Sequence, residues 1–87
     1  MNLSRNNYSQ WSQFLVSEQL AGKRQRLGLS FLEIAYHSGL VWQTVRRILS
    51  GKVTGRTTDN RRLKLIARAV VNICRERDKA LFGRAFD

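Results

Sequence analysis

Residues 31–50, FLEIAYHSGLVWQTVRRILS, place a glycine between two short amphipathic stretches, and this arrangement decides the predicted fold. Gly39 supplies the left-handed backbone conformation that a tight turn after a helix requires. Ala35, four residues before Gly39, is small enough for two helices to cross closely. Leu40, Val45 and Ile48 then pack inward, and the second helix turns its polar side outward. The spacing therefore predicts two short helices joined by a tight turn.

Helix signals continue on both sides of this stretch, and no run alternates with the period of two that a strand requires. Ser30 and Glu33 form a capping box, in which the Ser30 hydroxyl accepts a hydrogen bond from the Glu33 amide and the Glu33 carboxylate accepts one from the Ser30 amide. Thr58 or Asp59 caps the last helix. We therefore expect an all-α, compact four- to five-helix domain containing a helix-turn-helix, with helices over about 9–27, 30–37, 41–50 and 59–79.

The apolar residues of the two long helices predict which faces are buried. In the first helix a drifting stripe comprises Trp11, Phe14, Leu15, Val16, Leu20 and Leu27. In the last helix a regular stripe comprises Leu63, Ile66, Ala67, Val70, Ile73 and Cys74. Leu65, Ala69 and Val71 lie off that stripe, which predicts a second buried face, against a partner subunit.

The helix pattern predicts one domain over residues 9–79, with a flexible N-terminal arm at 1–8 and a C-terminal tail at 80–87. A chain of 87 residues has room for one small hydrophobic core. The apolar side chains of the tail are otherwise hard to bury, so we expect the tail and the last helix to form a dimer contact.

The chain has 16 Lys and Arg against 6 Asp and Glu, a formal charge of +10, which indicates a polyanionic partner. Residues 46–68 alone contain eight basic residues and a single acid, Asp59. No apolar run reaches the roughly 20 residues that a membrane-spanning helix needs. The N-terminus also lacks the apolar stretch of a signal peptide. We therefore predict no membrane association and a cytoplasmic location.

The residues that carry most protein chemistry are scarce. His37 and Cys74 are the single histidine and the single cysteine, too few for a tetrahedral metal site made of protein ligands alone. His37 has no partners spaced for nucleophilic catalysis. No glycine-rich phosphate loop follows a strand. We expect no enzyme activity, no metal and no cofactor, with Cys74 a small core residue and His37 a residue of the helix surface.

The pattern as a whole resembles helix-turn-helix repressors of the lambda-repressor/Cro class, over roughly residues 9–71. Residues 41–50, VWQTVRRILS, are also similar to the recognition helix of the lac-repressor family. That helix pairs an aromatic residue with Gln-Thr-Val and an Arg four residues after the Gln. The resemblance implies a DNA-binding protein of a bacterial or phage-infected cell, associated with the nucleoid.

The resemblance implies that Trp42, Gln43 and Arg47 face base edges. Gln43 can pair with adenine and Arg47 with guanine, each pair contributing about 1–3 kcal/mol of discrimination. Arg46, one residue round the helix, can reach a base or a phosphate. Trp42 can pack on a thymine methyl or a sugar, or instead serve as half-buried packing or a dimer contact. Candidates for phosphate contact are Ser30, Thr44, Lys52, Arg56, Thr57 and Thr58.

We therefore expect a sequence-specific double-stranded DNA-binding transcriptional regulator. It would be a small phage- or plasmid-type repressor that reads a palindromic operator in the major groove as a homodimer. Two alternatives stay open. One is a structured RNA-binding protein, although RNA readers usually display several stacked aromatic side chains. The other is a helix-turn-helix antitoxin that represses its own operon and binds a toxin. Release from DNA through an antagonist protein is compatible with either DNA-binding case.

Overall fold

The computed structural model describes the backbone of residues 5–86 and the side chains of residues 9–79. Within residues 5–86 the chain forms four helices and no strand: α1 over Arg5–Leu27, α2 over Phe31–Ser38, α3 over Trp42–Leu49, and α4 over Thr57–Phe86. The predicted all-α fold is confirmed, with the smaller of the two expected helix counts. The molecule measures 61 × 23 × 18 Å, and the 30 residues of α4 alone make a rod about 45 Å long.

The beginning and end of α2 follow from local signals. Ser30 is the N-cap, and its Oγ accepts a hydrogen bond from the Glu33 amide at 3.0 Å. Gly39 ends the helix at a φ of 74°, and its N–H donates to the Ala35 carbonyl at 3.0 Å. The second half of the predicted capping box is wrong. The Glu33 carboxylate instead accepts from Arg77 of α4 at 3.2 and 3.3 Å, where the donor carries the opposite charge.

Only residues 39–41 separate α2 from α3, as expected for a helix-turn-helix unit. Val41 is extended and acts as the N-cap of α3 without a side-chain hydrogen bond, so α3 begins at Trp42, one residue later than predicted. Ser50 ends α3, and its N–H donates to the Arg46 carbonyl at 3.0 Å. Together α2, this turn and α3 form the helix-turn-helix unit, residues 31–49.

The hydrophobic core lies mainly between α2 and α4, and α1 and α3 close it from the sides. The stripe predicted for the last helix is confirmed, since its members are buried or packed against the core. Of the residues off that stripe, Ala69 is buried and Val71 is 48% exposed. The buried apolar residues are Leu20, Leu29, Ile34, Ala35, Val45, Ile48, Leu49, Val53, Leu63, Ile66, Ala69, Val70 and Ile73.

The face of α1 that is buried differs from the predicted one. Of the expected stripe only Leu20 is buried, whereas Trp11, Phe14, Leu15, Val16 and Leu27 are between 40% and 60% exposed. Besides Leu20, the buried residues among the described side chains of α1 are Gln13 and Ser17. These side chains meet backbone groups at the end of α3 and in the segment that follows it, and such groups need polar partners when buried. A face chosen by hydrophobicity alone was therefore wrong.

Both long helices extend further than predicted. α1 begins at Arg5, so residues 5–8, expected in the arm, belong to the helix, and residues 1–4 lie outside the described part. α4 begins at Thr57 because the Arg56 carbonyl accepts from the amides of Asp59 and Asn60. It runs to Phe86 instead of ending near residue 79, since nothing after residue 79 stops a helix firmly. The side chains of the predicted dimer contact at 80–87 lie outside the described residues.

Candidate nucleic-acid interface

The recognition-helix candidate, α3, has one buried and one exposed face. Val45, Ile48 and Leu49 are buried in the core, which fixes the rotation of the helix about its own axis. Gln43 and Arg46 are exposed on the other side, and Trp42 is 39% exposed at the first helical position. The structure therefore brings three of the four predicted base-reading residues to an open surface.

The fourth, Arg47, is engaged within the protein. Its Nη2 donates to Asp59 Oδ1 at 2.9 Å and its Nη1 to Asp59 Oδ2 at 3.2 Å. Nη1 also donates to the Lys52 carbonyl at 2.6 Å. This bidentate pair is the strong form of the arginine–carboxylate contact. The prediction that Arg47 reads a base remains a prediction, but these contacts assign Arg47 a structural role that joins α3 to α4.

Asp59 is the centre of this arrangement, and its side chain is only 2% exposed. Its carboxylate also accepts from the Thr54 N–H at 3.0 Å, from Thr54 Oγ1 at 2.9 Å, and from Arg62 at 3.2 Å. The hydrogen bond from Arg47, followed by those from Thr54, holds the pKa of the Asp59 carboxyl far below its ordinary value despite burial. The same bond raises the pKa of Arg47. Asp59 was expected as a helix cap, and it instead bonds the chain that precedes α4.

That chain is the basic loop, residues 50–56, which carries Lys52 and Arg56. α1 holds it from the other side. The Gln13 Nε2 donates to the Arg56 carbonyl at 2.8 Å, and Gln13 Oε1 accepts from the Gly55 N–H at 2.9 Å. Gln10 donates to the Val53 carbonyl at 2.9 Å. These hydrogen bonds therefore fix the backbone of the loop, and the side chains of Lys52 and Arg56 are exposed on it.

These α1 contacts were missed by reasoning from the sequence. Gln10, Gln13 and Ser17 are polar and spaced three and four residues apart, so they share one helix face. Ser17 donates to the Ile48 carbonyl, near the end of α3. The sequence signal for these contacts was this row of polar residues, in a helix whose apolar residues form no single stripe. Such a row does not stand out, because a polar helix face ordinarily indicates solvent.

The predicted phosphate-contact residues divide into three places. Lys52, Arg56, Thr57 and Thr58 are exposed together in the basic loop and at the first turn of α4. The unpaired amides of a helix N-terminus favour anions there. Thr44 lies half-buried on α3. Ser30 lies apart, at the start of α2, where its Oγ already accepts from an amide.

The cations of residues 46–68 are not all equally available. Arg47 and Arg62 both pair with Asp59. The exposed members on α4 are Arg61, Lys64 and Arg68. With Arg46, Lys52 and Arg56 they leave six of the eight basic residues of this segment without a carboxylate partner among the described ion pairs. Residues 46–68 therefore place a strong net positive charge at the protein surface.

We also searched the described residues for metal sites, reactive side chains and membrane-spanning helices. No group of three or more His, Cys, Asp and Glu side chains among them is placed to hold a metal ion. His37 lies on α2 with its Nε2 3.8 Å from the Glu76 carboxylate. Cys74 is a free, half-buried thiol. Within residues 5–86, each helix is either too short or too polar to cross a membrane.

Comparison of the chain with protein-family models, with curated proteins and with solved structures gave no match.

Proposed function

We propose that this protein is a sequence-specific double-stranded DNA-binding transcriptional regulator that acts as a homodimer. The observation that carries the proposal is the exposure of Trp42, Gln43 and Arg46 on a helix whose other face is buried. A helix presented in this way can enter the major groove, where each base pair has a distinct pattern of donors and acceptors. The adjoining basic loop supplies charge for the phosphates on either side.

The contacts of Arg47 change which residues we assign to base reading. To reach a guanine, Arg47 must leave the buried Asp59 carboxylate, and breaking this partly exposed pair costs about 2–3 kcal/mol. A bidentate contact to guanine contributes only about 1–3 kcal/mol of discrimination between bases, whereas Gln43 and Arg46 are exposed and break no described ion pair to reach a base. We therefore assign base reading to Gln43 and Arg46, with Trp42 packing on a thymine methyl or a sugar. Arg47 acts as a positioning residue for the basic loop.

Selection of bound sites from random duplex DNA tests the proposal directly. We expect a two-fold symmetric consensus, with half-sites separated by about 34 Å, one helical turn, or a multiple of it. No enrichment, or an enriched site without symmetry, would contradict the homodimeric reader. Structured RNA that competes as well as the selected duplex would favour the RNA-binding alternative instead.

Two matched variants separate sequence reading from charge. Gln43→Ala should relax the preference at one base position per half-site and keep affinity for unrelated DNA. Lys52→Ala should weaken binding to all sequences alike and reduce the slope of log affinity against log salt by about 0.9 for each phosphate that is no longer neutralised. If Gln43→Ala weakens all sequences equally, the base-reading assignment fails.

A further inference from the structure

A second surface, formed by α1 and α4, combines apolar and cationic side chains. The last turns of α1 and the middle of α4 enclose an open hollow with a cavity volume of about 390 Å³. Leu27, Val71 and Cys74 form its apolar floor. Leu27 is 41% and Val71 48% exposed, so apolar area faces solvent here. A second hollow of about 420 Å³ shares Val71 and Arg75 with the first and continues it along α4. We call the two together the α1–α4 groove.

The charged residues that line the α1–α4 groove are all cationic. Lys23 and Arg26 border it on α1, and Arg68 and Arg75 border it on α4. No acidic residue occurs among the described residues that line either hollow. An apolar floor with a positive rim is complementary to a surface that combines apolar side chains with carboxylates. Arginine is also well suited to bidentate recognition of a carboxylate.

A second copy of this chain does not fit the groove. A two-fold symmetric contact through this face would set each basic rim against itself, and like-charge juxtaposition costs several kcal/mol. The chain also has only six acidic residues. Of these, Asp59 is buried and Glu33 is paired with Arg77. Glu76 and Asp78 alternate with basic residues, and the other two acids are isolated in the sequence. The chain therefore offers no acid-rich segment to a neighbouring copy.

Nucleic acid fits it less well than protein does. Phosphates require the cations but make no use of an apolar floor, and base edges are read by polar side chains.

We propose that the α1–α4 groove binds an acidic amphipathic segment of a protein partner. Apolar side chains of that segment lie on Val71 and Leu27, and its carboxylates pair with the rim. This is the helix-in-groove mode of recognition, with charge setting its specificity. The proposal does not depend on DNA binding, since it uses no residue assigned to base reading or to phosphate contact.

The single thiol of the chain provides a direct readout. Cys74 lies on the floor, so an occupant should slow its modification by a maleimide. A displayed library of helical peptides about 16 residues long can be selected on the intact wild-type protein. We expect enrichment of peptides with apolar residues every three or four positions and Glu or Asp beside them. A selected peptide should slow Cys74 modification in proportion to its occupancy.

Charge and floor variants test the location. Val71→Glu and Arg75→Glu change exposed positions, so the fold should persist, and each should weaken the selected peptides about tenfold or more. Arg46→Glu is the matched control, because it reverses an exposed arginine on α3, and it should leave peptide binding unchanged. Arg46→Glu should in turn weaken DNA binding, which keeps the two proposals separately testable.

Several outcomes would overturn the groove proposal. One is a selection without acidic enrichment, or peptides that bind both groove variants as well as the wild type. Another is equal protection of Cys74 by polyglutamate or by duplex DNA, which would make the groove a general anion or nucleic-acid surface. A third is self-association that protects Cys74 without peptide and is abolished in Val71→Glu, which would assign the groove to a second copy.

Discussion

Asp59 holds together three parts of the molecule, so its charge should dominate local stability. In Asp59→Asn one oxygen acceptor remains, and an amide N–H₂ faces donors from Arg47 and Thr54. Removing one partner of a buried ion pair costs about 3–5 kcal/mol. The Arg47 side chain is 33% exposed, so water compensates it in part, and we expect stability to fall by about 2–3 kcal/mol. For a domain of this size the midpoint of thermal unfolding should fall by about 10–20 °C.

The pH dependence of the same difference gives an independent check. Because the folded-state pKa of Asp59 is lowered, its stabilisation is fully present above the unfolded-state pKa, near 3.9. It is lost as the pH falls from there toward the folded-state pKa. The difference in unfolding free energy between wild type and Asp59→Asn should therefore be about 1 kcal/mol smaller at about pH 3 than at pH 7.

Urea unfolding followed by circular dichroism at both pH values measures these quantities. Asp78→Asn is the matched control, since Asp78 is an exposed aspartate of the same helix, and it should change stability by less than about 0.5 kcal/mol. If Asp59→Asn costs less than about 1 kcal/mol, or its cost is the same at both pH values, the role assigned to Asp59 is refuted.

Two further predictions concern residues that support the interface, and a third concerns the glycine within α1. Arg47→Ala should lower stability yet leave the selected DNA consensus unchanged below its unfolding temperature; a relaxed guanine position would restore Arg47 as a base reader. Gln13→Leu removes the partners of the Gly55 N–H and the Arg56 carbonyl and should cost about 1–3 kcal/mol in urea unfolding, whereas a neutral result would show that water replaces it. Gly22→Ala should stabilise by about 0.5–1 kcal/mol, since a Cβ there meets nothing within 4 Å; destabilisation would reveal a close contact at this position.

The helix-turn-helix unit could be predicted from the sequence because its determinants are local. Ser30 needs only the amide three residues ahead of it, and Gly39 needs only the end of its own helix. The buried face of α3 could be predicted in the same way, since Val45 and Ile48 are apolar and three residues apart, which places them on one side of a helix. These parts were confirmed within one residue or so at each boundary.

The sequence was less informative where a side chain's partner lies far along the chain. The helix position of Arg47 favours base reading, because position alone does not reveal a carboxylate twelve residues later. Gln13 was missed because its partners lie 42 and 43 residues away. The same limitation applies to α1, where apolar spacing pointed to Trp11 and Phe14. Its polar face is buried instead, because Gln13 and Ser17 bond to backbone groups that lie far along the chain.

The attachment of the basic loop on two sides bears on the entropy of binding. Ordering a free backbone residue costs about 1–2 kcal/mol. If the loop were disordered before binding, this entropic cost would cancel much of the free energy gained from its phosphate contacts. Here the Gly55 N–H and the Arg56 carbonyl are already fixed by Gln13, and the Thr54 N–H by Asp59. The entropic cost is therefore incurred during folding instead of at the encounter. A substitution at Gln13, a residue that DNA would not contact, should accordingly speed hydrogen exchange of the loop amides and, as a consequence, weaken DNA binding.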